Sequence, residues 1–219
     1  KSSLPMNALL QKMLRKYPDF KLSLSVSGTF LEQAQQFNPE VLESFKRLVA
    51  TDRVEILSSP YHHSLAFFYS LQEFETQIEL HRQAIRRIFG VETRVLANTE
   101  LAYNDQLAKW AENHDFSGVL AEGWDPILDW RSPNYVYRPN GTEKIGLLLK
   151  NYRLSDDLAF RFSNRNWNGW PLTAEKFNAW AMDSLQHAPL LNLFMDYETF
   201  GEHQWSETGI FDFFESFVG

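Results

Sequence analysis

Short apolar runs of strand length alternate with amphipathic stripes of helix length from one end of this chain to the other. That alternation excludes all-α and all-β folds before any single residue is considered. Residues 5–16 carry Leu9, Leu10, Met13 and Leu14 on one helical stripe behind Pro5. Residues 21–28 alternate with period two, with Leu22, Leu24 and Val26 on one side, which predicts a strand. Asn38-Pro39 reads as an N-cap and first-turn proline for a helix striped by Val41, Leu42, Phe45, Leu48 and Val49. A strand is predicted at 54–57. Ser70 with Glu73 then forms a capping box for a long helix that Gly90 stops. The pattern continues as strand at 95–97, helix at 105–114 and strand at 118–121. After a looser stretch from Trp124 to Trp170, Thr173 caps a helix to Gln186, residues 191–195 form a buried strand, and a last helix starts near Ser206.

Strands separated by helices of ten or more residues are βαβ units, so a parallel sheet is expected. Two architectures build one: an open doubly wound sheet or a (β/α) barrel. The doubly wound kind announces itself by a glycine-rich phosphate loop after a strand. Neither G-x-G-x-x-G nor G-x-x-x-x-G-K-[ST] occurs here. Polar groups stand instead at the carboxyl ends of several strands: His62, His63, Glu100, Glu122, and Asp196 with Glu198. Barrels collect their catalytic side chains from several strand ends at one face, and the barrel is therefore the expected fold. At 219 residues the chain is read as a single catalytic (β/α) domain, 1–219.

A net charge of −7 argues against a nucleic-acid backbone as partner. No apolar run approaches the ~18 residues of a membrane helix, so no membrane partner is expected. Without cysteine there is no disulfide, thiol nucleophile or thiolate-bound zinc. Cysteine-free composition and the lack of a signal-peptide pattern suggest the cytoplasm. The absence of an initial methionine suggests a piece of a longer chain. The 7 Trp exceed what packing asks of one domain; burial accounts for about half, and sugar rings or bases are candidate stacking partners for the rest.

Glu100 and Asp196 each follow an apolar run directly. A carboxylate at a strand end among aromatics is expected to be partly desolvated, and a raised pKa there suits a general acid. Two such carboxylates flanking one bond are the machinery of glycoside hydrolysis. The plainer reading is that each caps the helix that follows. A metal site is the rival reading, from His62, His63 and His203 with Asp196, Glu198 and Glu202. Against it, neighbouring His62 and His63 on extended chain point to opposite sides, and no H-x-x-x-H or H-E-x-x-H pair exists. No G-x-S-x-G elbow supports serine hydrolysis. Trp124, Trp130, Trp167 and Trp170 fall in the irregular stretch, where a ligand groove could be walled. Asp156, Asp157 and Arg161 lie there too, either binding hydroxyl groups or, for Asp157 and Arg161, pairing at helical spacing.

Two segments, Leu-Ala-Asn-Thr-Glu-Leu-Ala-Tyr at 96–103 and Leu-Phe-Met-Asp-Tyr-Glu-Thr-Phe-Gly-Glu-His-Gln-Trp at 193–205, resemble signature blocks of glycoside hydrolase family 57, α-amylase-like group. Residues 54–65 are similar to a third block, and 154–172 also resemble that group. The resemblance implies a retaining glycosidase on a (β/α)7 incomplete TIM-like barrel. It would act on α-1,4-glucans or maltooligosaccharides without a nicotinamide, metal or phosphate cofactor. Carried over, Glu100 matches the family nucleophile and Asp196 the acid/base, while His63, Glu198 and His203 match positions lining the sugar site. Trp124, Asp157 and Arg161 are further candidates for substrate binding from the residues alone.

This sequence departs from the family pattern in lacking the His-Gln-Pro block of an opening strand. The expectation is that the first strand and a C-terminal helical segment lie outside it. A 4-α-glucanotransferase would use the same residues with sugar as acceptor. A catalytically silent carbohydrate-binding module and a metal-dependent deacetylase are the remaining alternatives.

Overall fold

A computed structural model describes residues 1–186 and 188–219, and among these it holds nine α-helices and six strands. In chain order they are α1 (Ser3–Lys16), β1 (Leu22–Ser25), α2 (Gly28–Phe37), α3 (Pro39–Val49), β2 (Val54–Leu57), α4 (Leu71–Phe89), β3 (Val95–Ala97) and α5 (Asp105–Asn113). There follow β4 (Gly118–Glu122), α6 (Asp125–Leu128), β5 (Val136–Tyr137), β6 (Gly146–Lys150), α7 (Tyr152–Asp156), α8 (Ala174–Ser184) and α9 (Ile210–Val218). Two compact units divide the chain. One comprises residues 1–20, 123–135 and 150–219, the other 21–122 and 136–149.

The second unit carries the β-structure. β1 and β2 pair in parallel, Leu22 opposite Val54 and Ser25 opposite Leu57. A parallel bridge from Ser58 to Leu96 continues the pattern to β3. The other sheet runs β3-β4-β6-β5, with β3 and β4 parallel but β5 and β6 antiparallel. The sheet is thus mixed rather than purely parallel, because β5 and β6 form a hairpin inside the stretch read as irregular.

Helices cover these strands by their apolar stripes. Leu48 of α3 and Phe74 and Ile85 of α4 are fully buried, along with Ile56, Leu96 and Val119 of the strands. Ser70 accepts a hydrogen bond from the Glu73 amide to start α4, and Gly90 ends it in the left-handed conformation. The other half of the expected capping box is not formed, since the Ser70 amide donates to Ala66 O and the Glu73 carboxylate accepts from Gln77. One element had no apolar periodicity strong enough to be read. α2 starts where Ser27 accepts from the Phe30 amide, and only Gly28, Leu31 and Ala34 are buried along it. Gly28 is required by a neighbour: a Cβ there would stand 2.2 Å from the Tyr61 ring.

In the first unit, α8 and α9 pack through an aromatic core, and α1 packs against α9. Phe213 of α9 stacks edge-on against Phe177 of α8 at 5.8 Å and against Phe162 at 5.1 Å. The strand expected at 191–195 reduces to one parallel bridge, Asn192 to Lys150. Its residues are only half-buried, so there is no buried face to enforce a ladder. The Phe194 amide donates instead to the Ser155 hydroxyl at 3.2 Å. The last helix begins at Ile210 behind a 3₁₀ turn at Ser206–Thr208. Among the described residues no helix is long and apolar enough to cross a membrane.

Candidate active site

Glu100 owes its position to a strained turn. β3 runs out at Ala97, and Thr99–Leu101 form a 3₁₀ turn in which Glu100 sits at φ 56°, ψ 24°, with Leu101 also left-handed at φ 52°. Two consecutive non-glycine residues in that region cost of order 1–3 kcal/mol each. Several contacts hold them there. Leu101 is buried, the Asn98 side chain donates to Ala102 O at 2.8 Å across the turn, and Thr99 Oγ1 donates to Ser64 O at 2.8 Å. With both flanks bolted down, the Glu100 side chain projects outward and is 78% exposed.

Ser64 belongs to the loop after β2, so this last bond ties the two strand-end loops together. In that loop His63 is left-handed too, at φ 53°, and its Nε2 lies 3.1 Å from Glu100 Oε1. Gln77, buried on α4, shapes the loop from below. Its carbonyl oxygen accepts from the His62 amide and the Ser64 hydroxyl, and its amide donates to Glu73. His62 and His63 do part company, with only His63 on Glu100, although the separation comes from a turn and not from extended chain. Glu122 ends β4 as expected.

The first unit presents the second carboxylate. Asp196 precedes a 3₁₀ turn at Tyr197–Thr199, is exposed, and its side chain caps nothing, so the capping reading does not hold for it. Its loop is anchored by the N-terminal helix. Tyr197 donates its hydroxyl to the Asn7 side chain of α1, and Ser2 donates to Tyr197 O at 2.9 Å. Burial pushes the Tyr197 phenol well above its usual pKa, so it stays a neutral donor. Gly201 closes the loop at φ 110°, where a Cβ would meet Lys1 O at 2.6 Å. The buried Gln204 side chain donates to Ala159 O at 2.9 Å, pinning the loop to the helical stretch after Asn151. Glu198 O accepts from the amides of Glu202 and His203, and both Glu198 and His203 are exposed.

Asp157 and Arg161 occupy a π-helical turn, Asp157–Arg161, and pair at 2.7 Å. Burial raises the Asp157 pKa, with Arg161 opposing. The helical-spacing ion pair is therefore real. Trp124 is exposed at the start of α6, held by Asp125, which binds Arg153 and accepts from Tyr152 at 2.9 Å.

The expected desolvation of both carboxylates is overturned: Glu100 and Asp196 are exposed, because each stands at a 3₁₀ turn, Glu100 within one and Asp196 just before one. The supporting residues Asn7, Gln77, Asn98, Thr99 and Tyr197 escaped sequence reading. Only the polar Asn-Thr pair before Glu100 hinted that the turn itself is hydrogen-bonded. Among the described residues no three His, Asp or Glu side chains form a group that could hold a metal ion.

Exposed carboxylates on turns, with imidazole nearby in the same segments, are groups placed to give and take protons. Residues 5–218 match the model of glycosyl hydrolase family 57, and the chain belongs to that family. It is 47% identical over 215 residues to a Methanocaldococcus jannaschii protein named "Putative alpha-amylase", covering 97% of this chain and 45% of that one. The chain thus spans less than half the length of that relative. Among solved structures, the 4-α-glucanotransferase of Thermococcus litoralis is similar at TM-score 0.78 and 18% identity over all of this chain and 34% of that one. The α-amylase AmyC of Thermotoga maritima is similar at TM-score 0.67 and 13% identity, over 99% of this chain and 64% of that one.

Proposed function

We propose that this chain is the catalytic domain, of incomplete (β/α)7-barrel type, of a retaining glycoside hydrolase acting on α-1,4-glucans. In this reading Glu100 attacks the anomeric carbon and displaces the leaving sugar, to which Asp196 gives a proton. Asp196 then takes a proton from water as that water releases the glycosyl group from Glu100. His63 orients the Glu100 carboxylate. Glu198, His203, Trp124, Asp157 and Arg161 bind the sugar: indole for the ring face, carboxylates, imidazole and guanidinium for hydroxyls. The observation that supports this best is the strained turn that lifts Glu100 into the open against His63. Strain of that kind is retained where a side chain must be presented.

Incubation of Glu100→Gln with maltoheptaose is the test. Loss of turnover with an unchanged melting temperature is expected, since the amide keeps shape but is no nucleophile. Near wild-type turnover removes Glu100 from the role. Fresh products in the α-anomeric form, read by NMR, support retention, and β-anomers overturn it.

A second reading, 4-α-glucanotransferase, is favoured by the similarity to the Thermococcus litoralis enzyme. It uses the same residues with a sugar hydroxyl in place of water. Products longer than the maltoheptaose supplied would establish it.

A further inference from the structure

A second place for a ligand lies in the same unit as Glu100, on the far side of the histidine pair. A groove of about 450 Å³ opens between α2 and α4 over Tyr61, within the roughly 300–1,000 Å³ of small-molecule sites. Its floor is Tyr61, buried, with the His62 ring edge-on to it at 5.0 Å. The close approach of Tyr61 to Gly28 is what lets the phenol lie so deep. One wall is apolar: Leu80, 42% exposed, and Ala84 one turn on along α4. The rest is polar. Glu32 accepts the Tyr61 hydroxyl through Oε1 at 2.7 Å, which leaves Oε2 for another donor. The exposed guanidinium of Arg87 lines the groove as well. Gln83 adds an amide.

A carboxylate and a guanidinium in one groove disfavour a strongly charged ligand of either sign. Together with an amide and imidazole they suit a neutral molecule rich in hydroxyls, which donate to Glu32 and accept from Arg87. The exposed Leu80 side chain asks of the same molecule one apolar face. A pyranose meets both demands. We propose that this groove is an accessory site for glucosyl units of an α-glucan, separate from the residues that carry the chemistry. The sugar class rests on the glycoside-hydrolase reading above. The groove shares one turn with Glu100: His63 N donates to Pro60 O at 3.0 Å, and this Pro60–His63 turn sends His62 to the groove and His63 to the carboxylate.

The experiment is a maltotriose titration of the Glu100→Gln chain followed by methyl and aromatic NMR. Saturable shifts are expected at Leu80 and Tyr61. Glu32→Gln combined with Arg87→Ala changes only exposed side chains. It is expected to raise the apparent Kd read at those signals at least tenfold, while shifts at Phe67, beside the loop that reaches Glu100, keep their original Kd. Absence of saturable shifts at Leu80 and Tyr61, or shifts that the double substitution leaves unmoved, overturns the proposal. Shifts with glycine or inorganic phosphate but not with maltotriose overturn the sugar assignment. Groove shifts in a protein whose wild type shows no turnover remove the catalytic reading and leave the groove. Turnover without groove shifts does the reverse.

Discussion

His63 and Glu100 illustrate how much a single contact carries. Their 3.1 Å hydrogen bond is made in the open, so it adds little to stability and is better judged by what it orients. With Glu100 as the proposed nucleophile, His63→Ala is expected to cut kcat about tenfold or more with KM nearly unchanged, as loss of its orientation would do; a rise in KM alone would mark His63 as a sugar contact only. His81 makes the opposite case. It is fully buried, its Nε2 faces Val26 O at 2.8 Å, and its Nδ1 has no hydrogen-bond partner among the described residues. Burial therefore lowers its pKa below the ordinary 6.5, with the Val26 bond opposing. Because the unfolded chain takes up the proton first, stability is complete above about pH 6.5 and is lost as pH falls below it, by at most about 1.4 kcal/mol per pH unit for this one group. Denaturation midpoints followed from pH 7.5 to 5 should show this slope, and His81→Gln, which keeps a donor for Val26, should flatten it.

At the scale of elements, the Asp196 loop depends on α1. Asn7→Ala removes the acceptor that α1 offers the half-buried Tyr197 hydroxyl. The expected cost is about 1–3 kcal/mol with a fall in kcat, measured by urea denaturation beside maltoheptaose turnover; unchanged kcat at reduced stability would separate the anchor from the chemistry. That dependence could not be read from the sequence, since 190 positions separate the partners. What could be read was local: the Ser70 cap of α4, the Asn38-Pro39 start of α3, the Thr173 cap of α8 and the short strands β1 to β4. Elements whose signal was spread thin went unseen, such as α2 with its polar Glu32–Gln36 stretch and the two-residue β5. The run at 191–195 misled because apolar content was taken for a ladder, when pairing needs a covered face. Glu100 and Asp196 were legible as residues, and their exposure was not, because a left-handed turn after β3 leaves no mark in composition.

For the whole molecule, binding and folding are linked. A glucan that binds the folded state alone raises stability by about 1.4 kcal/mol at ten times its Kd. A maltooligosaccharide series in differential scanning calorimetry is expected to raise the melting temperature of Glu100→Gln, with larger increments for longer chains as more of the exposed indoles are engaged. A melting temperature indifferent to every member of the series would mean that no glucan is recognised.

The left-handed backbone at His63 and Glu100 also sets a bias on how this protein can change. Both side chains stand in solvent, so replacing either forfeits no packing, while glycine or asparagine would relieve a conformational penalty. Selection for thermal robustness alone would drift toward those residues at both positions, and on the proposed reading of Glu100 as nucleophile it would extinguish turnover on the way. If that reading holds, a screen that scores only survival on heating would enrich for inert descendants, and the strained turn would be kept only while activity is also demanded.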